Sequence, residues 1–467
     1  MAPELRETDL IAVREQLGRE PTVPFSVIAR CASGHPLVIR NAPVDAAGAP
    51  FPTTSWLTCP DAVKAVARLE SEGEIATMNR RYEGDAAFRD AVDTAHAEAA
   101  EDRARDLPEA RAWGGVGGTR RGVKCLHAHY ANHLAGGDDV VGRWVAERVE
   151  PVHPGERRRV AAIDQGTNTC RLAVVEAGAS TAEIPGELAR DMIVTRLGHG
   201  VDATGRLDPA ALARTDAVMT RYARRARALH AERIRVSATA AVRDAANREG
   251  FAQVVRAATG TEPEVIDGTK EAALSFLGGT HGLTASDGPF ALLDIGGGST
   301  ELVTGSDPGV AERAVSMQMG SVRLTERHVR HDPPAPEDLE AMRADTGASL
   351  EEAALAIPVE DIRTFVSVAG TATTVQAVAL GLDRYDPDRI HRTWLTAAEA
   401  ERTLARLASM TNEERAALPV MAPGRGEVIV AGAVILVEVM RRFGFERTLV
   451  SETDILDGLV FEMVGVG

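Results

Sequence analysis

The chain has few aromatic residues, 4% of its 467 positions, which disfavours an aromatic-rich sandwich core. The apolar work falls to Ala, Val, Leu and Ile, which suits helices packed on parallel strands. Cysteine is scarce, with Cys31, Cys59, Cys125 and Cys170 in a long chain; that is no disulfide framework and fits a reducing compartment. No stretch approaches the roughly 18 uninterrupted apolar residues of a membrane span, and MAPELRETDL carries acids before any apolar run. The expectation is a cytoplasmic protein with no membrane partner. Positive charge is also in deficit: the formal net charge is −16, which argues against nonspecific nucleic-acid binding but not against a local basic groove for a polyanion.

Length implies roughly three domains. Turn signals crowd the first 150 residues, with helical patterns between about Cys59 and Arg105, and the basic stretch GERRRV at 155–160 marks a boundary. Beyond it, strands alternate with helices, the mark of an α/β fold with crossover connections. The expected strands are 160–163, 171–176, 233–237, 290–294, 365–369 and 447–450, with long helices over 208–231 and 424–443.

An internal duplication organises this part. AAIDQGTNTCRLAVV at 161–175 aligns with ALLDIGGGSTELVTG at 291–305, placing Asp164 over Asp294, Gly166 over Gly296 and Leu172 over Leu302. VSATAAV from Val236 matches the segment from Val366 at the same offset of 130 residues. Two lobes facing each other across a cleft follow.

Each strand ending in Asp-x-Gly turns back tightly and exposes backbone N–H groups where phosphate oxygens can sit. Asp164 and Asp294 project carboxylates suited to Mg²⁺, and Thr167, Asn168, Thr169, Ser299 and Thr300 add neutral donors. VAGTATTV at 368–375 places Gly370 and Thr371 in a third small-residue loop before a helix, where phosphate meets a helix N-terminus. For any one motif, a tight turn or a close-packed strand-to-helix corner is the plain alternative.

DQGTNTCRL, DIGGGSTEL, VSATAAVRDAANREGF, MQMGSVRLTE and VIVAGAVIL together resemble the exopolyphosphatase and guanosine pentaphosphate phosphatase (Ppx/GppA) family from about residue 157 to the end. The resemblance implies two actin-like, ribonuclease H-like lobes. These would be 157–269, joined by a final helix at about 452–467, and 270–451, after an N-terminal α+β domain over 1–155. It implies Mg²⁺ or Mn²⁺ near Asp164, Asp294 and Glu301, with a monovalent cation as an optional addition. Asn168, Thr167, Gly296, Gly297, Gly298 and Ser299 would hold phosphate, Glu271 would activate water, and Arg243 would grip phosphate oxygens. Helix-dipole stabilisation is the plain alternative for Glu271, and an ion pair with Asp244 or Glu249 for Arg243. Gln165, Lys270 and Glu427 depart from the family pattern, and a further C-terminal domain of longer members is expected to be lacking.

The expected reaction is metal-dependent hydrolysis of the terminal phosphoanhydride of inorganic polyphosphate. Guanosine pentaphosphate is the alternative substrate, a kinase of the same superfamily and a non-catalytic polyphosphate sensor are more distant readings, and a homodimer is allowed for. Lys270, Arg243 and Arg221, Arg224, Arg225 and Arg227 are read as a basic track for a long polyanion. Residues 157–467 are expected to fold and act alone.

Residues 7–148 resemble an uncharacterised bacterial domain, which implies no activity. Cys125, His129 and His133 recur at four-residue spacing, and with Cys31, Cys59 and His127 they form a candidate Zn²⁺ set. Buried cysteines and helix-surface histidines are the competing reading.

Overall fold

The computed structural model describes residues 7–31, 34–45, 48–51, 53–105, 107, 113–149, 158–177 and 186–465. The boundary stretch read at 155–157 lies outside the described residues. The strands are β1 (Phe25–Arg30), β2 (Pro36–Asn41), β3 (Ser55–Leu57), β4 (Arg158–Gln165), β5 (Thr169–Ala177), β6 (Gly186–Val194), β7 (Arg233–Ala238) and β8 (Glu264–Val265). They continue with β9 (Phe290–Ile295), β10 (Thr300–Gly305), β11 (Arg313–Met317), β12 (Thr364–Val368), β13 (Thr393–Thr396) and β14 (Arg447–Val450).

Two sheets repeat one design. The first runs β6-β5-β4-β7-β8 and the second β11-β10-β9-β12-β14-β13. In each, an antiparallel hairpin (β4 with β5, β9 with β10) is extended by a parallel crossover strand, β7 beside β4 and β12 beside β9. The duplicated sequence thus becomes two actin-like α/β lobes. The central strands β9 and β10 are buried along their whole length; β9, apolar but for Asp294, reads as a near-continuous apolar run for that reason. The C-terminal helix Ile455–Val464 packs on the first-lobe sheet, with Leu456, Leu459 and Val460 against Val160, Ala162 and Ala173.

The helix read over 424–443 begins only at Ile429; the five residues before it form a turn that frees Arg425 to reach Gly370 O (2.6 Å) and Thr374 Oγ1 (2.9 Å). The strand read to Ala369 stops at Val368, because Ala369 adopts a left-handed φ of 63° and opens the helix Ala369–Ala379. The small-residue segment is therefore the first turn of a helix more than a loop.

The N-terminal part is α+β: a three-stranded antiparallel sheet, β1-β2-β3, with helices Pro60–Ser71, Glu74–Gly84, Ala86–Ala104, Leu126–Leu134 and Val140–Val149. It is not a detached module. Its apolar residues and those of the first lobe form one continuous buried cluster that includes Ile28, Val66, Leu126, Tyr222 and Val236. Asp102 is shared by Arg40 and the first-lobe Arg221, and Glu98 pairs with Arg224 at 3.0 Å. The expectation that residues 157–467 fold and act alone meets this shared cluster, to which the helix Pro209–Ala228 contributes Met219, Tyr222 and Ala223.

Candidate active site

The two Asp-x-Gly turns close by the same hydrogen bond, Gly166 N to Thr169 O (2.9 Å) and Gly296 N to Ser299 O (3.0 Å). Asp164, Gly166, Thr167, Asn168, Glu271, Asp294, Gly296, Gly297, Gly298, Ser299, Gly370 and Thr371 all line one cavity of about 430 Å³ between the lobes. Glycine is required where the lobes touch. A Cβ on Gly298 would stand 2.7 Å from Thr167 Oγ1, and one on Gly297 would stand 2.9 Å from Thr167 Cβ.

The duplication is broken at one informative pair. Asp164 faces Arg171 across the first hairpin, whereas Asp294 faces Glu301 across the second. In the first lobe the carboxylate is neutralised: Asp164 accepts from Arg171 (2.9 Å) and Ser237 (3.1 Å), and Arg171 also holds Asp454. In the second lobe two acids stand side by side, Asp294 bonded to Ser275 and Glu301 to Ser316 (2.6 Å).

Glu271 lies in the first turn of the helix Gly268–Thr280, buried, with Arg243 Nη1 3.2 Å from its carboxylate. The cap is Asp267, which accepts from Lys270 N at 2.8 Å. Burial lifts the Glu271 carboxyl well above the usual range. Glu301 and Asp294 push it further, and Arg243 opposes them. Burial first, then the charge of Asp454, raises Asp294 to about 6. Burial and Asp294 raise Glu301 to about 8. Arg243 also touches Ile266 O (3.2 Å) and Asp244 (3.7 Å), so part of its charge serves the lobe itself.

The acids suit a hard cation. Glu301 Oε2 is buried without a hydrogen-bond partner, and the donors are all oxygens, the set that favours Mg²⁺ or Mn²⁺. No three of these carboxylates bring ligand atoms within 4.8 Å of one another. That spread matches a cation held by one or two carboxylates, with waters and phosphate oxygens completing its shell.

Comparison with known proteins decides the family. Residues 174–466 match the family model of the Ppx/GppA phosphatase family. The chain belongs to that family. It is 44% identical to Exopolyphosphatase 2 of Mycobacterium tuberculosis over 319 residues, 66% of this chain and 99% of the relative. It is 29% identical to Exopolyphosphatase 1 of Mycobacterium bovis over 310 residues, 65% of this chain and 87% of that one. Among solved structures, an exopolyphosphatase-like protein shares 36% identity with a TM-score of 0.63, covering 66% of this chain and 98% of the other. The Aquifex aeolicus PPX-GPPA enzyme shares 28% with a TM-score of 0.56, covering 66% and 99%. Residues 27–147 match a family of unknown function, DUF501.

Within the Ppx/GppA part the basic track is corrected. Arg225 is fully buried and paired with Asp191 (2.8 Å), Arg221 and Arg224 bind Asp102 and Glu98 of the N-terminal domain, and Arg227 donates to Ala258 O and Thr259 O. Lys270 binds Glu462 on the C-terminal helix instead of standing beside Glu271. These arginines read as a basic stripe because their partners come from distant segments.

The proposed N-terminal metal set is likewise not brought together. His129 is buried against Asp139 (2.8 Å), and Cys31 and Cys59 pair with each other. Among the described residues, the one group of three or more His, Cys, Asp or Glu whose ligand atoms lie within 4.8 Å of one another is Glu70, Cys125 and His127. Sequence reasoning also missed Arg171, Asp454 and the Arg190–Asp457 pair, whose members lie hundreds of residues apart. The one signal was Arg171, which stands where the duplication puts Glu301.

Proposed function

We propose that the protein is a cytoplasmic exopolyphosphatase that removes orthophosphate from the end of inorganic polyphosphate. The single observation that carries this is the buried Glu271 carboxylate, lining a cavity walled by both Asp-x-Gly turns and held by Arg243. A pure binding site has no use for a proton acceptor there. The similarity to exopolyphosphatases supports the substrate class.

In this reading the turns at 166–169 and 296–299 and the first turn at 369–371 hold the terminal phosphates. Glu271 takes the proton of a water attacking in line, and its raised basicity suits that task near neutral pH. Arg243 orients the Glu271 carboxylate and offsets charge spreading over phosphate oxygens. Asp294 and Glu301 would hold Mg²⁺ or Mn²⁺, which when bound neutralises phosphate charge. Arg171 pairs with Asp164 and fixes its carboxylate at the end of the strand. Most of the rate gain comes from positioning and charge complementarity.

Polyphosphate is favoured over guanosine pentaphosphate by the wall chemistry. Among the described lining residues Tyr385 is the one phenyl-type ring, with its hydroxyl donating to Glu452 (2.8 Å), whereas backbone turns and small polar side chains suited to phosphate oxygens make up much of the wall. The test is phosphate release by the full chain with Mg²⁺ from polyphosphate, guanosine pentaphosphate and ATP. The highest kcat/KM is expected on polyphosphate; a higher value on guanosine pentaphosphate would reverse the assignment.

A further inference from the structure

The helix Pro60–Ser71 ends beside the start of the helix Leu126–Leu134, and three side chains of different chemistry meet there. His127 Nδ1 lies 3.8 Å from Cys125 Sγ and 3.1 Å from Glu70 Oε1, and all three ligand atoms fall within 4.8 Å of one another. A tetrahedral zinc with bonds of about 2.3 Å to sulfur and about 2.0–2.1 Å to nitrogen and oxygen has S···N and N···O edges of about 3.6 and about 3.3 Å. The observed separations are close to those edges with no rearrangement of the helices.

The surroundings are also arranged for ligation. His127 Nε2 donates to Val63 O at 3.1 Å, which fixes the ring with Nδ1 toward Cys125 Sγ and Glu70 Oε1; a bound ion would displace the proton that Nδ1 shares with them. Glu70 Oε1 accepts from Leu126 N at 2.7 Å, which fixes the carboxylate against the opposite helix. The side chains of Glu70 and His127 are about a quarter and a fifth exposed, so solvent reaches the site and a water completes the shell. A thiolate and an imidazole with one carboxylate select a borderline-soft ion over Mg²⁺ or Ca²⁺.

We propose that Glu70, Cys125 and His127 form a three-ligand Zn²⁺ site with an open fourth position in the N-terminal domain, separate from the phosphate cleft. The ion would clamp the end of one helix to the beginning of another.

The test uses the full chain loaded with ZnCl₂ in excess Mg²⁺, desalted, and assayed for zinc per chain. Co²⁺ loading gives a second readout, because a cysteine ligand produces thiolate-to-cobalt charge-transfer absorption. One zinc per chain is expected in the parent and in Cys59→Ser. In Cys125→Ser and His127→Gln the affinity should fall by at least the roughly 10- to 100-fold that loss of an outer-shell partner already costs, and Cys125→Ser should lose the cobalt band. Retained phosphate-releasing activity shows that the variants are folded. Should they not fold, the parent decides alone: absence of stoichiometric zinc or of the thiolate–cobalt band overturns the site. Loss of zinc in Cys59→Ser with retention in Cys125→Ser also overturns it.

Discussion

Glu271→Gln separates chemistry from architecture at the centre of the cleft. Glutamine keeps the shape of glutamate and can still accept from Arg243 Nη1, now 3.2 Å from the carboxylate, so the first turn of the helix Gly268–Thr280 survives. It cannot take a proton from water. General-base catalysis contributes about 10²- to 10⁴-fold, about 3–5 kcal/mol of barrier, and a fall of that size in kcat with KM little changed is expected. Stability should move the other way. The folded-state pKa of Glu271 is raised by burial and by Glu301 and Asp294, so its ionisation opposes folding as pH rises, and the variant should melt no lower than the parent at pH 8 without divalent cation. Were Glu271 only a favourable charge at a helix N-terminus, worth about 0.3–1 kcal/mol, the variant would melt lower and keep its kcat. Phosphate release and thermal melts on one preparation distinguish the two. Near-normal kcat in a folded variant refutes the water-activating role.

Asp294, raised to about 6, and Glu301, raised to about 8, contribute stability that is present below their unfolded values and lost as pH rises through the folded ones. The cation-free protein should therefore melt progressively lower from pH 5 to pH 8, and Mg²⁺ should restore the loss; a melt that rises with pH in chelator contradicts this. Asp294→Asn and Glu301→Gln should raise the Mg²⁺ needed for half-maximal activity, with partial rescue at high Mg²⁺ that Glu271→Gln does not share. Gly298→Ala sets a methyl 2.7 Å from Thr167 Oγ1 and 3.1 Å from Ala240 Cβ. It should cost about 10- to 100-fold in kcat/KM by shifting the turns, read by steady-state phosphate release. Asp102→Asn leaves Arg40 and Arg221 without their shared carboxylate and, at about 1–3 kcal/mol for donors left unsatisfied, should destabilise the protein as measured by chemical denaturation.

The lobes were legible because their signals are local: a buried strand, an acid, a glycine and a returning strand, written twice at one spacing. The cavity lining followed from the same residues. Pairings between remote segments were not legible. Arg221 and Arg224 looked like a substrate track because Asp102 and Glu98 lie over a hundred residues away. The strand β6 carries Glu187, Arg190 and Asp191, which mask its pattern although Arg190 binds Asp457 and Asp191 binds Arg225. In the N-terminal domain, four-residue spacing put Cys125 and His129 on one helix face, but Cys125 is the residue before that helix, with extended backbone, so the periodicity does not reach it. Its partner there is His127, joined by Glu70 from another helix.

Isotope transfer from H₂¹⁸O in the first turnover of a short polyphosphate tests the central claim most directly. Water activated at Glu271 and attacking the terminal phosphorus puts one ¹⁸O into the orthophosphate released and none into the shortened chain. Unlabelled orthophosphate with label in the chain, or no orthophosphate at all from a Mg²⁺-loaded folded protein, would contradict the account.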